Sequence, residues 1–330
     1  NISEKNISVS NHTYVMIKGE KIGVIAGFKI FFDEKFNDIL NNNYKKIIKE
    51  QISQNMTINV ENFLSAPDES LILKPDFDDQ GQFIDLYIAW GEAKIGIFSK
   101  GNEILKPKIS AIYDDNLINT EQADQILNKI ETWFQNTFLQ KVDLSILLEK
   151  YNSTPEERSF IFKLIENQYN FYQLNILDEF KQIEEGKRKE IHSLNFRLGK
   201  NVIFNSELIR PELMKLKFYL WNIFYSVNIN VDFYIPKDGN ATLNAQPSLN
   251  LDLIKFLGFM FQNKLLIRID IYNEFEKQLF KRENRGPFSL PMDLSNLLGI
   301  KKEKLIEILN ERSYLVQEIE ENDLLISKKI

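Results

Sequence analysis

At 330 residues, 43% of them hydrophobic and 27% charged, the chain is long enough to bury a sizeable core and to divide into two or three domains. A net charge of −6 excludes a protein that coats nucleic acid over its whole surface, while leaving room for a local basic face. With no cysteine and two histidines, His12 and His192, the chain cannot form disulfides, thiol nucleophiles, iron–sulfur clusters, cysteine-ligated zinc or a histidine-rich metal site.

No stretch reads as a signal peptide or a membrane span. The most apolar windows, Leu213 to Ile235 and Leu249 to Ile271, are each interrupted by Lys or Asp, so a cytoplasmic location is expected. The chain opens on Asn1 rather than Met and reads as a piece cut from a longer polypeptide.

The fold class read from pattern is α+β. Residues 1–116 predict a small β-rich domain of paired hairpins with one helix. Tyr14 to Ile17 and Ile22 to Ile25 flank Lys18-Gly19-Glu20-Lys21, and Gly91-Glu92-Ala93-Lys94-Ile95-Gly96-Ile97 echoes Gly19-Glu20-Lys21-Ile22-Gly23-Val24. Two related hairpins sharing one sheet are the expectation. Between them, Lys35 to Ile52 carries Phe36, Leu40, Tyr44, Ile47 and Ile48 at helical spacing, with Lys45, Lys46 and Lys49 outside.

Residues 117–285 predict a mainly helical domain with short strands. A helix starts near Thr120 and buries Ile126, Ile130, Trp133, Phe134 and Phe138. A second starts at Pro155 behind Ser153 or Thr154, with Glu156 and Glu157 in its first turn, and its apolar series runs from Phe160 through Leu164, Ile165, Tyr169 and Tyr172 to Ile176. Glu184 to Glu190 reads as a polar break. Phe196 to Leu198 and Val202 to Phe204 predict two strands around Gly199-Lys200-Asn201. A helix with Pro211 in its first turn, capped early by Ser206, then buries Leu213, Leu216, Leu220 and Phe224, with Lys215 and Lys217 away from that stripe. Asn228 to Asn250 reads as strand and loop, Leu249 to Phe261 as a buried helix, Leu265 to Ile271 as a half-exposed strand, and Asn273 to Lys281 as a short helix.

Residues 286–330 predict a helix-turn-helix or winged-helix-like unit. Pro291 opens one helix with Leu294, Leu297 and Leu298, Gly299 closes it, and Lys302 to Arg312 forms the second with Leu305, Ile308 and Leu309 inward. Tyr314 to Val316 and Leu324 to Ser327 would add two strands. The turn between them carries Glu318, Glu320, Glu321 and Asp323, which repel phosphate and favour a protein-packing module, whereas Lys301, Lys302 and Lys304 favour nucleic acid.

Catalytic motifs are missing: there is no GxxxxGK[ST], GxGxxG, HExxH or GxSxG. Asp76-Phe77-Asp78-Asp79-Gln80-Gly81 imitates the start of a calcium loop, but Tyr87 stands where the bidentate carboxylate belongs, so an acidic turn is expected. Asp114-Asp115 and Glu184-Glu185 read as solvated charge, and His192 as a partly packed residue rather than a base.

The series FRLGKNVIF (196–204), LIRPELMKLKFYLW (208–221), Gly258-Phe259 with IRIDI (267–271), GPFSLPMDLSNLLGI (286–300) and EKLIEIL (303–309) resembles the region behind the motor in alphaproteobacterial ATP-dependent RNA helicases, relatives of the mitochondrial degradosome helicase. Upstream, IKGEKIGVIAGFKIFF (17–32), WGEAKIGIFSKGNEILKPKIS (90–110) and the helix bearing Trp133 are similar to that family in the same order, so the resemblance spans Tyr14 to Leu309. Phe196, Leu198, Gly199, Leu208, Pro211, Leu220, Trp221, Gly286, Pro287, Phe288 and Leu298 carry most of it, and these are structural residues.

The resemblance implies a superfamily 2 helicase that unwinds RNA with two RecA-like domains. This chain lacks their phosphate loop, magnesium motif and arginine motif, so it corresponds to a non-catalytic accessory part; no catalytic residue carries over, and ATP and Mg belong to the absent motor. The leading expectation is a region that guides single-stranded or structured RNA, or scaffolds the motor, through cations that track phosphate. The candidates are Lys187, Arg188, Lys189, Arg197, Lys200 and Arg210, then Lys281, Arg282 and Arg285, with Lys301 and Lys302 in the terminal unit. The alternative is a protein-interaction module that docks a ribonuclease or the motor, which 25 Phe and 12 Tyr serve equally well.

Overall fold

The structure, a computed structural model, describes residues 7–10, 13–36, 42–142, 153–167, 169–237, 240–320 and 323–328, so His12, Leu40 and Glu321 lie outside it. The architecture is α+β with five small antiparallel sheets. Two compact units form, one from residues 1–140 with 222–229 and the other from 141–221 with 230–330.

The first unit holds two four-stranded meanders. Strands β1 (Ile7–Ser10), β2 (Tyr14–Ile17), β3 (Glu20–Ala26) and β4 (Lys29–Phe32) pair in that order, as do β5 (Leu71–Phe77), β6 (Phe83–Trp90), β7 (Ala93–Glu103) and β8 (Lys106–Ala111). Lys18 and Gly19 both have positive φ, 53° and 82°, the combination whose twist suits a tight antiparallel hairpin between β2 and β3. The two related hairpins therefore sit in separate sheets, not in one as the repeat suggested, with a parallel bridge from Phe28 to Tyr113 between their flanks. Each hairpin finds its further strands a few residues away, and closing such short loops costs less entropy than pairing across the intervening helix.

That helix, Asn42–Ser65, is longer than predicted. It buries Ile48, Ile52, Met56, Val60 and Phe63 at steps of four and three residues, and Phe63 meets Phe28 and Trp90 with ring centroids 5.2 and 5.3 Å apart. Lys49 pairs with Asp114 at 2.6 Å with both side chains largely buried, which corrects the reading of Asp114 as solvated charge. Helix Thr120–Phe134 is capped by Asn119 in a reciprocal box with Gln122, one residue earlier than Thr120, and buries Ile126, Ile130, Trp133 and Phe134 as expected, whereas Phe138 lies past its end and is half-buried. The Asp78 carboxylate accepts from the backbone N–H groups of Gln80 and Gln82 at 2.9 and 2.7 Å, an acidic turn, and no metal-binding cluster occurs among the described residues.

In the second unit, helix Pro155–Glu166 starts behind Thr154, whose hydroxyl caps it, but ends well before Ile176. Tyr169 turns left-handed at φ 64°, and β9 (Asn170–Tyr172) joins β10 (Phe196–Leu198) and β11 (Val202–Asn205) in the order β10-β11-β9. The sheet partner overrides the helical spacing of Tyr169 and Tyr172. The polar run 184–190 is a helix, Glu185–Ser193, in which Lys187, Arg188, Lys189 and Glu190 are good helix formers that offset Gly186, and Ile191 is its buried residue. Ser206 does not cap the next helix; its hydroxyl donates to the Asn195 carbonyl.

Helix Pro211–Tyr225 forms as expected, but Lys217 is buried within it. Its position four residues after Leu213 and four before Trp221 puts it on the inward stripe. Helix Leu251–Leu257 stops at left-handed Gly258, and β12 (Thr242–Asn244), β13 (Phe259–Gln262) and β14 (Leu265–Arg268) form a sheet in the order β12-β14-β13. Residues 265–271 are therefore not one half-exposed strand. Leu265, Leu266 and Ile267 are all buried, the chain turns helical at Ile269, and Arg268 holds Asp270 through two bonds of 2.7 and 2.9 Å.

Helix Ile269–Glu283 follows, then helices Met292–Leu298 and Lys302–Glu311 joined through Gly299. Strands β15 (Phe288–Ser289), β16 (Tyr314–Glu320) and β17 (Asp323–Lys328) close the chain in the order β15-β17-β16. Phe204, Ile267, Phe275, Leu298, Leu305 and Ile326 belong to one continuous core, so the terminal helices share their apolar interior with the strands and helix before them. Among the described residues, no helix is long and apolar enough to cross a membrane.

Candidate functional site

Helix Ile269–Glu283 presents Tyr272, Glu276, Phe280 and Glu283 at four-, four- and three-residue steps, a row along one face. That row forms one wall of a cleft of about 1100 Å³ within the second unit. Tyr172 of β9, Leu174 just after it, the turn Gly199-Lys200-Asn201, Phe261 of β13 and the residues Arg312 to Tyr314 contribute to the rest of its lining, as do the charged side chains of Asp178, Lys277, Glu311 and Lys328. The volume is at the upper end of small-ligand pockets and suits a chain segment.

The turn is held tightly against the helix. A methyl at Gly199 would lie 1.8 Å from Asn273 Oδ1 and 2.9 Å from a Val202 methyl, so any side chain here would push one of them aside, and glycine suits this approach. Gly199 donates its N–H to the Val202 carbonyl at 2.8 Å, Asn201 Oδ1 accepts from the Asn175 N–H at 3.1 Å, and Asn201 Nδ2 donates to Glu276 at 3.5 Å. Lys200 is thereby pinned at its backbone and exposed at its side chain, whose nitrogen lies 4.3 Å from the centroid of the Phe280 ring. Phe280, Phe261 and Tyr172 are 42, 49 and 38% exposed, an unusual concentration of wet aromatic surface in one cleft.

Charge is arranged in internal pairs deeper in. Arg312 donates to the Tyr272 hydroxyl at 2.6 Å and to Glu276 at 2.5 Å. Burial pushes the Tyr272 hydroxyl up to about 12, with Arg312 opposing it, so Tyr272 stays protonated. Burial also opposes the charge of Arg312, but Tyr272 and Glu276 outweigh it and raise its pKa above the usual value. Glu283 accepts from the Tyr314 hydroxyl at 2.8 Å and pairs with Lys328; burial would raise its carboxyl, yet these two donors, with the charge of Lys200 adding to them, hold it below the ordinary range. Two cleft carboxylates are thus neutralised from within. Among the described residues, no carboxylate lies within ion-pair distance of Lys200.

Of the cations singled out in the sequence, Lys200 lines this cleft and the others lie elsewhere. Lys187 pairs with the buried Glu157 at 2.7 Å, Lys189 with Glu185 at 2.7 Å, and Arg210 with Glu207 at 3.1 Å. Arg188 is half-buried, and Arg197 donates to the carbonyls of His192 and Phe196. Arg282 pairs with Asp293, Lys281 and Arg285 are exposed around the end of their helix, and Lys301 and Lys302 sit at the start of helix Lys302–Glu311. His192 is packed edge-on to Phe180, with Nδ1 3.1 Å from the Phe196 carbonyl.

The residues the sequence did not reveal are Tyr172, Phe261, Tyr272, Glu276, Phe280 and Arg312. Their signal was the four-residue step from Tyr272 to Glu276 to Phe280, which becomes legible once the helix is extended back to Ile269. Compared with protein-family models, curated proteins and solved structures, the chain matches none.

Proposed function

We propose that this chain is a non-catalytic accessory region of an ATP-dependent RNA helicase that guides single-stranded RNA, and that the cleft beside helix Ile269–Glu283 is where the strand lies. The observation that carries this reading is the half-exposed Phe280 ring with the exposed Lys200 cation over it, flanked in the same cleft by exposed Phe261 and Tyr172. Unpaired nucleic acid is held by such a combination: rings that accept the face of any base, worth about 1–3 kcal/mol per base, and cations that follow the phosphates. The internal pairing of Glu276 and Glu283 supports it further, because it removes two charges that would repel the strand. In this reading the terminal helix pair and its three strands form a winged-helix-like unit whose role is to build the cleft wall.

The test is binding of a short single-stranded RNA to the full chain across a salt series. Affinity should fall linearly with the logarithm of salt, and a combined Arg197→Glu, Lys200→Glu, Arg210→Glu variant should bind more weakly. Absence of binding at low salt would remove the reading. It would leave a docking module for the motor or a ribonuclease, a role to which Leu174, 67% exposed at the cleft rim, would be suited.

A further inference from the structure

We infer that Lys200 and Phe280 form one nucleotide-sized subsite in which the ring takes an unpaired base and the ammonium it releases takes that nucleotide's phosphate; this rests on the reading that single-stranded RNA occupies the cleft. In the structure the Lys200 nitrogen occupies the space above the Phe280 ring where a stacked base would lie. A base and the cation cannot share that face. Stacking of a base on an aromatic ring is stronger than an exposed cation–ring contact, so the base displaces the lysine.

The displaced side chain has few alternatives. Its backbone is fixed from both sides, by Gly199 against Asn273 and by Asn201 on Asn175 and Glu276, so only the flexible stem can move. The carboxylates that line the cleft already have partners: Glu283, on which Lys200 acts through charge alone, is held by Lys328 and Tyr314, Glu276 by Arg312, Asp178 by Lys181 and Glu311 by the Gln262 amide. A cation tethered within a side chain's length of a stacked base, with its neighbouring acid neutralised, finds the phosphate of that same nucleotide as its partner. The ligand is therefore one base-plus-phosphate unit of an unpaired strand. A duplex, whose bases are covered on both faces, presents no base to the ring.

The experiment uses the full chain and an unpaired oligoadenylate of about ten nucleotides, within the span of known single-strand sites. Affinity is measured over a salt series for the wild type, Lys200→Met, Phe280→Leu and the double variant; both residues are exposed, so the fold is not at stake. Phe280→Leu should weaken binding about tenfold at every salt concentration. Lys200→Met should reduce the slope of log affinity against log salt by about 0.7, the loss of one phosphate contact. The double variant should bind no more than slightly weaker than Phe280→Leu, because without the stacked base the phosphate is no longer positioned for the lysine. An unchanged slope in Lys200→Met, or fully additive losses, would overturn the subsite while leaving RNA binding in the cleft standing. Failure of the wild type to bind would overturn both.

Discussion

The side-chain nitrogen of Lys217 sits 4.8 Å from the centroid of the Phe256 ring, fully buried and without a hydrogen-bond partner among the described residues. Burial drives its pKa down to about 7, against about 10.4 for a lysine in an unfolded chain. Between those values the unfolded chain binds a proton that the folded one does not, so stability rises as pH climbs from about 7 to about 10, and the cost is fully present below that window. Replacing Lys217 by Met keeps the apolar stem and removes the charge. The variant should be more stable than the wild type near neutral pH, by up to roughly 4 kcal/mol, and should lose much of the rise towards alkaline pH. Urea unfolding at several pH values measures both, and parallel pH profiles for the two proteins would refute it.

Lys217 also marks where sequence reading stopped. Helix ends written in local chemistry were legible: Thr154-Pro155 starts a helix, Gly299 ends one, and the terminal helix pair lies where its leucines put it. Strand partners were not legible, because nothing in the echo between residues 19–24 and 91–97 says whether two hairpins pair with each other or with nearer neighbours. The cleft was hidden for a related reason. Tyr172 and Arg312 are 140 residues apart, and only the packing of β9 and helix Lys302–Glu311 around helix Ile269–Glu283 brings both into one cleft. Charge runs misled in turn, since Lys187 is conspicuous in sequence yet committed to Glu157.

The Arg312 pair predicts a stability effect that separates structure from binding. Glu276 is 9% exposed, and its charge is supported by Arg312 with a long contact from Asn201. Arg312→Leu would leave that carboxylate buried without its counter-ion and should lower unfolding stability by roughly 3 kcal/mol. The double variant Arg312→Leu, Glu276→Leu should recover most of the loss, because two apolar side chains replace a pair instead of breaking it. Denaturant unfolding of the three proteins decides the point, and a double variant as unstable as the single one would disprove it.

The sequence carries no phosphate loop and no accompanying acidic magnesium motif. The purified chain should therefore release no phosphate from ATP above a protein-free blank, with or without added single-stranded RNA. A steady-state phosphate assay suffices. RNA-stimulated turnover that survives repeated purification would require a nucleotide site of a kind the accessory-region reading does not contain.

Gly199 offers the sharpest test of how the Lys200 turn is held. Its φ is not in the left-handed region, so glycine is needed there for space and not for backbone freedom. An added methyl would lie 1.8 Å from Asn273 Oδ1 and 2.9 Å from a Val202 methyl. The Asn273 amide is the end of a side chain that can rotate away, whereas Val202 is β-branched and stiff. Gly199→Ala should thus cost about 1–2 kcal/mol. Removing the larger obstacle with Asn273→Ala should restore part of that, leaving the Val202 contact as the residue of the cost. A double-mutant cycle in urea reads the coupling directly: a favourable interaction between the two substitutions is expected, and strict additivity would mean that the turn is not seated on Asn273.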